Sequence, residues 1–280
     1  MSKLKATISS NSDNNRRSLM AYLNCGDPNI GITERLIKTC HAQGIDIIEL
    51  GVPFPNSFTD GKVVKRSHQR ALDNDINFED TIELVKKLRS DDCSIPIVLL
   101  VDFSHSVKPR GIKRIVEQTS ASGADGLLIH GLPPLYTSEY LQAAKYCDLD
   151  CIFSLYPNSP SDKVHATLSN SHGFIYLVSQ YGRTGTSVDF SSSTLKTFYA
   201  SIKNSTDTPL LAGFGIKDAS DIDSLFTHTN IDGAILGSAI CNIIESNNGS
   251  EEALFTALEK YLEMIVAKKS IGYGEQQRAS

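Results

Sequence analysis

The chain has 280 residues, with 27 Lys or Arg against 32 Asp or Glu, and a formal net charge of −5. Neither sign of charge forms a long block, which argues against a nucleic-acid partner. No apolar run approaches the roughly 20 residues of a membrane-spanning helix. Residues 1–17 lack the apolar stretch of a secretory signal. We therefore expect no membrane association and a cytoplasmic location.

Short apolar runs alternate with amphipathic stretches along the chain, as in repeated βα units. The runs are continuously apolar, which is typical of parallel strands covered on both faces. In chain order the predicted strands are Leu19–Asn24, Ile45–Gly51, Ile95–Phe103, Gly126–His130, Cys151–Tyr156, Phe174–Ser179, Pro209–Gly213 and Gly233–Leu236. Helical periodicity is clear in Thr33–Ala42, Phe78–Leu88 and Glu251–Ala267.

Eight strands is the number that closes a TIM barrel. The sequence therefore predicts a single-domain (β/α)8 TIM barrel over residues 18–267. We expect a flexible N-terminal segment over residues 1–17 and a mobile tail over 268–280. An open doubly wound sheet would need a Gly-rich turn after an early strand, and the sequence has none.

Glu49 interrupts an apolar run near the carboxyl end of the second predicted strand. That end of a barrel strand is the catalytic face. A carboxyl group in an apolar barrel is desolvated, which raises its pKa and suits it to acid–base work near neutral pH. The alternative is a structural Glu paired to a neighbour.

Asp60 lies in the loop that follows the same strand. An Asp before a Gly is often only a turn residue. Here, however, the loop leaves the same barrel end as Glu49. Two carboxyl groups in different environments can have separated pKa values, so that one acts as acid and the other as base.

Glycines follow the last three predicted strands. They occur in Gly182–Gly185, in Gly213-Phe214-Gly215 and in Gly237-Ser238, which opens a short helix. Glycines let backbone N–H groups approach a phosphate, and a helix N-terminus adds partial positive charge. Barrels often bind phosphate after strands seven and eight, so the sequence predicts a phosphorylated substrate.

The remaining candidate ligands form no metal pattern. The six cysteines are scattered without a CxxC pair, and we expect free thiols. His105 and His130 lie near strand ends, but no histidine has metal-ligand spacing to another, so we interpret them as solvated or packed. We predict no metal site and no cofactor.

From about Leu19 to Ala267 the sequence resembles the tryptophan synthase alpha subunit family. The most specific match is the run Glu49-Leu50-Gly51-Val52-Pro53-Phe54, with Asp60-Gly61 shortly after it. The other matching pieces are Gly26-Asp27-Pro28, Arg70-Ala71-Leu72, Tyr176-Leu177, Thr184-Gly185, Gly213-Phe214-Gly215 and Gly237-Ser238-Ala239-Ile240.

The resemblance implies cofactor-free retro-aldol cleavage of indole-3-glycerol phosphate to indole and glyceraldehyde 3-phosphate, a step of tryptophan biosynthesis. By similarity, Glu49 is the acid–base residue, Asp60 accepts the indole N–H, and Tyr176 lies near the reacting carbon. The implied indole pocket comprises Tyr22, Leu100, Thr184 and Phe214. The implied phosphate site comprises Gly185, Gly215, Gly237 and Ser238.

The resemblance also implies a partner, the pyridoxal-phosphate-dependent beta subunit of an alpha2-beta2 complex. Family alpha subunits are typically poor lyases alone, because loops at the barrel mouth are mobile until the partner orders them. The sequence departs from the family at positions that face this partner, among them Asn56, Ser57, Asp102 and Ser104. Such changes alter complementarity at the interface.

Three other functions stay open at this point. The chain could act as a stand-alone lyase that releases indole. It could be a diverged paralogue that acts on a related aryl or sugar phosphate. It could also be a non-catalytic subunit that regulates a pyridoxal-phosphate-dependent partner.

Overall fold

The computed structural model describes residues 1–179, 188–213 and 215–270. Eight parallel strands form a closed barrel in which each strand pairs with the next and the last pairs with the first. They are β1 Ser18–Asn24, β2 Ile47–Gly51, β3 Ile97–Asp102, β4 Gly126–His130, β5 Asp150–Leu155, β6 Ile175–Val178, β7 Leu210–Gly213 and β8 Gly233–Leu236. The predicted (β/α)8 barrel is confirmed, and each strand end lies within two residues of its prediction.

Helices surround the barrel. They are α1 Lys3–Asp13, α2 Ile30–Ala42, α3 Lys62–Leu72, α4 Phe78–Ser90, α5 Lys108–Arg110, α6 Ile112–Ala121, α7 Thr137–Tyr146, α8 Ser161–Asn170, α9 Ser193–Lys203, α10 Ala219–His228, α11 Ser238–Ser246 and α12 Glu251–Val266. A π-helical turn follows β3 at Phe103–Val107, and a 3-10 turn lies at Pro134–Tyr136. Within the described residues, none of the helices is both long and apolar enough to cross a membrane.

Helix starts follow local capping chemistry. Helix α2 begins three residues before the predicted Thr33, because the side chain of Asn29 accepts a hydrogen bond from the N–H of Ile32. At α4, Asn77 and Asp80 form a reciprocal capping box.

Two apolar layers hold the barrel together, and strand alternation separates them. On β4, Leu127 and Ile129 point outward and pack against the helices, whereas Leu128 lies in the interior cluster. On β5, Leu155 points outward and Ile152 inward. Side chains two residues further along each strand return to the same face, so strand position decides which residues reach the central cavity.

The N-terminal segment differs from the prediction. Residues 1–17, expected to be flexible, contain helix α1, whose Leu4 and Ile8 are fully buried in the barrel-interior cluster. Gly126 on β4 makes room for this helix, since a Cβ there would lie 2.9 Å from Leu4 Cδ1. Helix α1 therefore closes the barrel at the amino ends of the strands.

The C-terminal segment, residues 268–280, is anchored near its start. Lys269, within the tail expected to be mobile, is 2% exposed. Its ammonium donates to the carbonyl of Gly44 (3.0 Å) and to Asp46 Oδ1 (2.7 Å). Residues 271–280 lie outside the described part of the chain.

Candidate active site

A cavity opens at the carboxyl ends of the strands. Loops after β2, β7 and β8 contribute to it, together with inward-facing strand residues. Its lining includes Tyr22, Glu49, Phe54, Thr59, Asp60, Val64, Leu100, Leu128, His130, Ser154, Tyr156, Tyr176, Val178, Gly215, Ile216, Ile235, Gly237 and Ser238.

Glu49 is buried in the middle of this wall, with 1% of its surface exposed. Among the described residues its Oε1 atom has no hydrogen-bond partner. Burial, reinforced by the negative charge of Asp60, raises the pKa of Glu49 to about 8. A buried carboxyl with an unused oxygen and a pKa near neutrality can both give and take a proton.

The pKa of Asp60 is shifted in the opposite direction from that of Glu49. Burial raises the pKa of its carboxyl, but contact with His68 and a hydrogen bond from Ser57 outweigh burial and hold the pKa below its usual range. The Ser57 hydroxyl donates to Asp60 Oδ2 at 2.6 Å. The two carboxyl groups of the cavity are therefore a neutral acid and an anion at pH 7.

His68 supports Asp60 from helix α3. Its Nε2 atom lies 3.3 Å from Asp60 Oδ2, and its Nδ1 accepts the N–H of Phe54 at 3.3 Å. Because Nδ1 accepts a hydrogen bond, the ring N–H is at Nε2, which faces the carboxylate. The ring is 2% exposed and packs on Phe54 at a centroid distance of 4.6 Å.

Two tyrosines flank the carboxyl groups. The Tyr22 hydroxyl donates to Asn24 Oδ1 at 2.6 Å, and Asn24 in turn donates to Ser67 Oγ at 2.9 Å. A Cβ on Gly213 would lie 2.5 Å from the Tyr176 hydroxyl, so glycine at the end of β7 leaves room for that ring. Burial raises the pKa of both tyrosines well above the usual range, and both remain neutral phenols.

The other end of the cavity is built from backbone. Gly215 follows β7 with a φ of +86°, a conformation that favours glycine. Gly237 and Ser238 start helix α11, whose N-terminus has no side-chain cap. The first N–H groups of a helix lack intrahelical partners and attract anions. This end can hold a phosphate.

The structure brings most of the predicted site residues into one cavity. Those found there are Tyr22, Glu49, Asp60, Leu100, Tyr176, Gly215, Gly237 and Ser238. The predictions for Thr184, Gly185 and Phe214 fall outside the described residues.

Sequence reasoning did not assign His68 or Ser154 to the site, and it interpreted His130 as solvated or packed. A signal existed for the first. Positions 64, 67, 68 and 71 form the buried stripe of α3, and two of its four members, Ser67 and His68, are polar. Polar residues on a buried helix face beside a catalytic loop indicate a site rather than a core.

Two residues assigned to the partner-facing surface are buried instead. Ser57 is 3% exposed and binds Asp60, and Asp102 is 8% exposed and accepts the His105 backbone N–H (2.9 Å) and the His105 ring (2.6 Å). Asn56 and Ser104 are exposed, as a docking surface requires. Ser57 is buried because the loop after β2 folds inward there, and Asp102 is buried because it is the last residue of strand β3.

A family model for "Tryptophan synthase alpha chain" matches residues 8–269. The chain belongs to this family. The tryptophan synthase alpha chain of Desulfatibacillum aliphaticivorans is 34% identical over 95% of this chain and 98% of its own length. That of Neisseria meningitidis serogroup B is also 34% identical, over 89% of this chain and 94% of its own.

Solved structures agree with the family assignment. The structure of Mycobacterium tuberculosis tryptophan synthase superposes with a TM-score of 0.85 and 25% identity, over 97% of this chain and 99% of that one. The alpha subunit from Legionella pneumophila gives the same TM-score and identity, over 96% and 98%. The tryptophan synthase alpha fold therefore spans nearly the whole chain.

Proposed function

We propose that the chain cleaves indole-3-glycerol phosphate to indole and glyceraldehyde 3-phosphate. The observation that carries this proposal is Glu49, a buried acid with an unused oxygen, beside the anionic Asp60 in a cavity that ends at a free helix N-terminus. Membership of the tryptophan synthase alpha family supports it.

The first step needs an acid. Glu49, neutral at pH 7, gives its proton to C3 of the indole ring. The ring becomes an indolenine with positive charge at nitrogen. Asp60 accepts the hydrogen bond from that N–H, and its negative charge stabilises the cation as it forms.

The second step needs a base. Glu49, now a carboxylate, takes the proton from the side-chain hydroxyl next to C3. The C–C bond breaks, and its electron pair returns to the ring and restores neutral indole. The hydroxyl carbon becomes the aldehyde of glyceraldehyde 3-phosphate. Atoms and charge balance without a cofactor, and Glu49 ends protonated again.

The rest of the site positions the substrate. Gly215, Gly237 and Ser238 supply backbone N–H groups for the phosphate. Leu100 and Tyr22 pack against the aromatic ring, and Tyr176 lies beside the reacting carbon. Fixing both ends of the substrate puts C3 within reach of one carboxyl group.

The tested change is Glu49→Gln. The amide keeps the shape of the side chain but neither gives nor accepts the proton, so we expect at least about a 1,000-fold loss of turnover. The measurement is release of indole and of glyceraldehyde 3-phosphate from indole-3-glycerol phosphate by the purified chain. Near-normal turnover by the variant would refute the mechanism.

We further propose that the chain associates with a pyridoxal-phosphate-dependent beta subunit, as its family membership suggests. Two large apolar side chains lie exposed at the cavity end of the barrel. They are Phe58 in the loop after β2, 89% exposed, and Leu135 after β4, 84% exposed. A partner that covers the cavity mouth would bury both.

A stand-alone lyase is the second candidate, and one observation favours it. Asp60 is already held by Ser57 and His68, which both belong to this chain. An alpha chain that orders its own catalytic loop needs its partner less.

A further inference from the structure

The cavity wall opposite the phosphate end carries polar side chains that the proposed reaction does not use. In a closed barrel of eight strands, β4 and β5 lie across from β8 and β1. Ser238 begins the helix after β8. Across the cavity from it, His130 ends β4 and Ser154 lies on β5, and both line the cavity.

Strand alternation fixes the direction of both side chains. Leu128 and Ile152 belong to the barrel-interior cluster. His130 and Ser154 stand two residues later on the same strands, so they face the same way. Both are half-buried, and the free surface that they keep is cavity surface.

Neither side chain is fully engaged by the protein. Over the described ranges the Ser154 hydroxyl makes no hydrogen bond to another residue. His130 Nε2 lies 3.5 Å from Thr59 Oγ1, the long limit of a hydrogen bond. Both groups can therefore bind a ligand.

The substrate's orientation puts its far edge against these groups. In the proposed reaction the phosphate binds at the β7–β8 end, C3 faces Glu49, and the ring N–H faces Asp60. The benzene edge of the indole then points toward β4 and β5. That edge has only carbon and hydrogen, so unsubstituted indole would cover the Ser154 hydroxyl and His130 Nε2 without offering either a hydrogen-bond partner, which is unfavourable.

We propose that the preferred substrate is an indole-3-glycerol phosphate with a hydroxyl, or another small hydrogen-bonding group, on the benzene edge, which His130 and Ser154 recognise. The proposal rests on the proposed function, because it takes the substrate's orientation from that reaction. It makes these two residues specificity determinants and gives Glu49 and Asp60 the same chemistry on a substituted ring.

Binding tests the proposal separately from turnover. The probes are indole-3-propanol phosphate and its 5-hydroxy and 6-hydroxy derivatives. These compounds lack the side-chain hydroxyl from which Glu49 takes a proton, so they cannot be cleaved. Calorimetry with the full chain should show that at least one hydroxylated probe binds about tenfold tighter than the plain one, the effect of one good hydrogen bond.

Two substitutions test whether His130 and Ser154 cause the preference for a hydroxylated probe. In Ser154→Ala and His130→Leu the ratio of the two dissociation constants should fall toward one, because only the hydroxylated probe loses a hydrogen-bond partner on its benzene edge. Val178→Ala is the matched control. It alters an apolar wall of the same cavity, so it should weaken all probes alike and leave their ratio unchanged.

The outcomes separate the two proposals. A plain probe that binds as tightly as both hydroxylated probes overturns the specificity inference, and so does a preference that survives both variants. Cleavage is assayed in parallel with the corresponding glycerol phosphates. If none of these releases glyceraldehyde 3-phosphate, the lyase proposal fails, while the ratio of dissociation constants still decides the specificity inference.

Discussion

Glu49 and Asp60 are two carboxyl groups whose surroundings separate their pKa values. Burial raises the pKa of Glu49 to about 8, whereas His68 and Ser57 hold that of Asp60 below its usual range. The proposed reaction begins with neutral Glu49 and ionised Asp60. Between these two pKa values both groups are in the required form.

The pH dependence of turnover follows from that arrangement. As pH rises through about 8, Glu49 loses its proton before substrate binds, and kcat/KM should fall. Toward acid pH, activity should persist to below the ordinary Asp range, because the depressed pKa keeps Asp60 ionised. Initial rates of aldehyde release across the pH range test this, and a profile that still rises above pH 8 would contradict the role of Glu49 as the initial acid.

His68 is the residue that sequence reasoning most clearly missed. We expect His68→Asn to lower kcat/KM by roughly tenfold, because Asp60 loses a contact that both orients it and lowers its pKa. The acid limb of the pH profile should also move to higher pH, a change that a purely structural defect would not produce. His165→Asn, on an exposed part of α8, is the control. An acid limb in the same place in both variants would exclude the positioning role.

At the scale of elements, strands were more predictable than helices. A continuous apolar run such as residues 97–101 is typical of a strand covered on both faces, so its pattern was sufficient to predict β3. Helix α1 was missed because only Leu4, Ala6 and Ile8 are apolar in an otherwise polar stretch. That helix is stabilised by packing against the amino ends of the barrel strands. The sequence of the N-terminal segment does not itself indicate this packing.

Helix α1 should therefore contribute measurably to stability. We expect Leu4→Ala to reduce the free energy of unfolding by about 2–5 kcal/mol, because the fully buried side chain leaves a cavity in the barrel interior. Ser10→Ala, at an exposed position of the same helix, should change stability by less than about 0.5 kcal/mol. Denaturant unfolding of both variants is the measurement, and equal midpoints would show that α1 is not part of the cooperative unit.

At the scale of the whole molecule, the sequence predicted the barrel and the location of the site but not how its loop is held. Ser57 illustrates the limit. Its neighbour Asn56 is exposed, and nothing local indicates that the next side chain turns inward to Asp60. The order of the strands determines which strand ends form the site. The path of the loop after β2, in contrast, depends on contacts with a separate helix, α3.

The way the loop is held bears on dependence on a partner. Because Ser57 and His68 fix Asp60 within one chain, we expect a beta subunit from the same source to raise the rate of indole release by less than about tenfold. The assay compares the chain alone with the chain at saturating partner. A rise of more than about 100-fold would mean that the catalytic loop is completed only in the complex.

Helix α1 also determines which end of the barrel is closed. With Leu4 and Ile8 packed into one end of the barrel, the cavity opens at the other end. In the proposed reaction, indole and glyceraldehyde 3-phosphate would both leave through this opening. Release of the slower product, rather than bond cleavage, can then set the turnover rate.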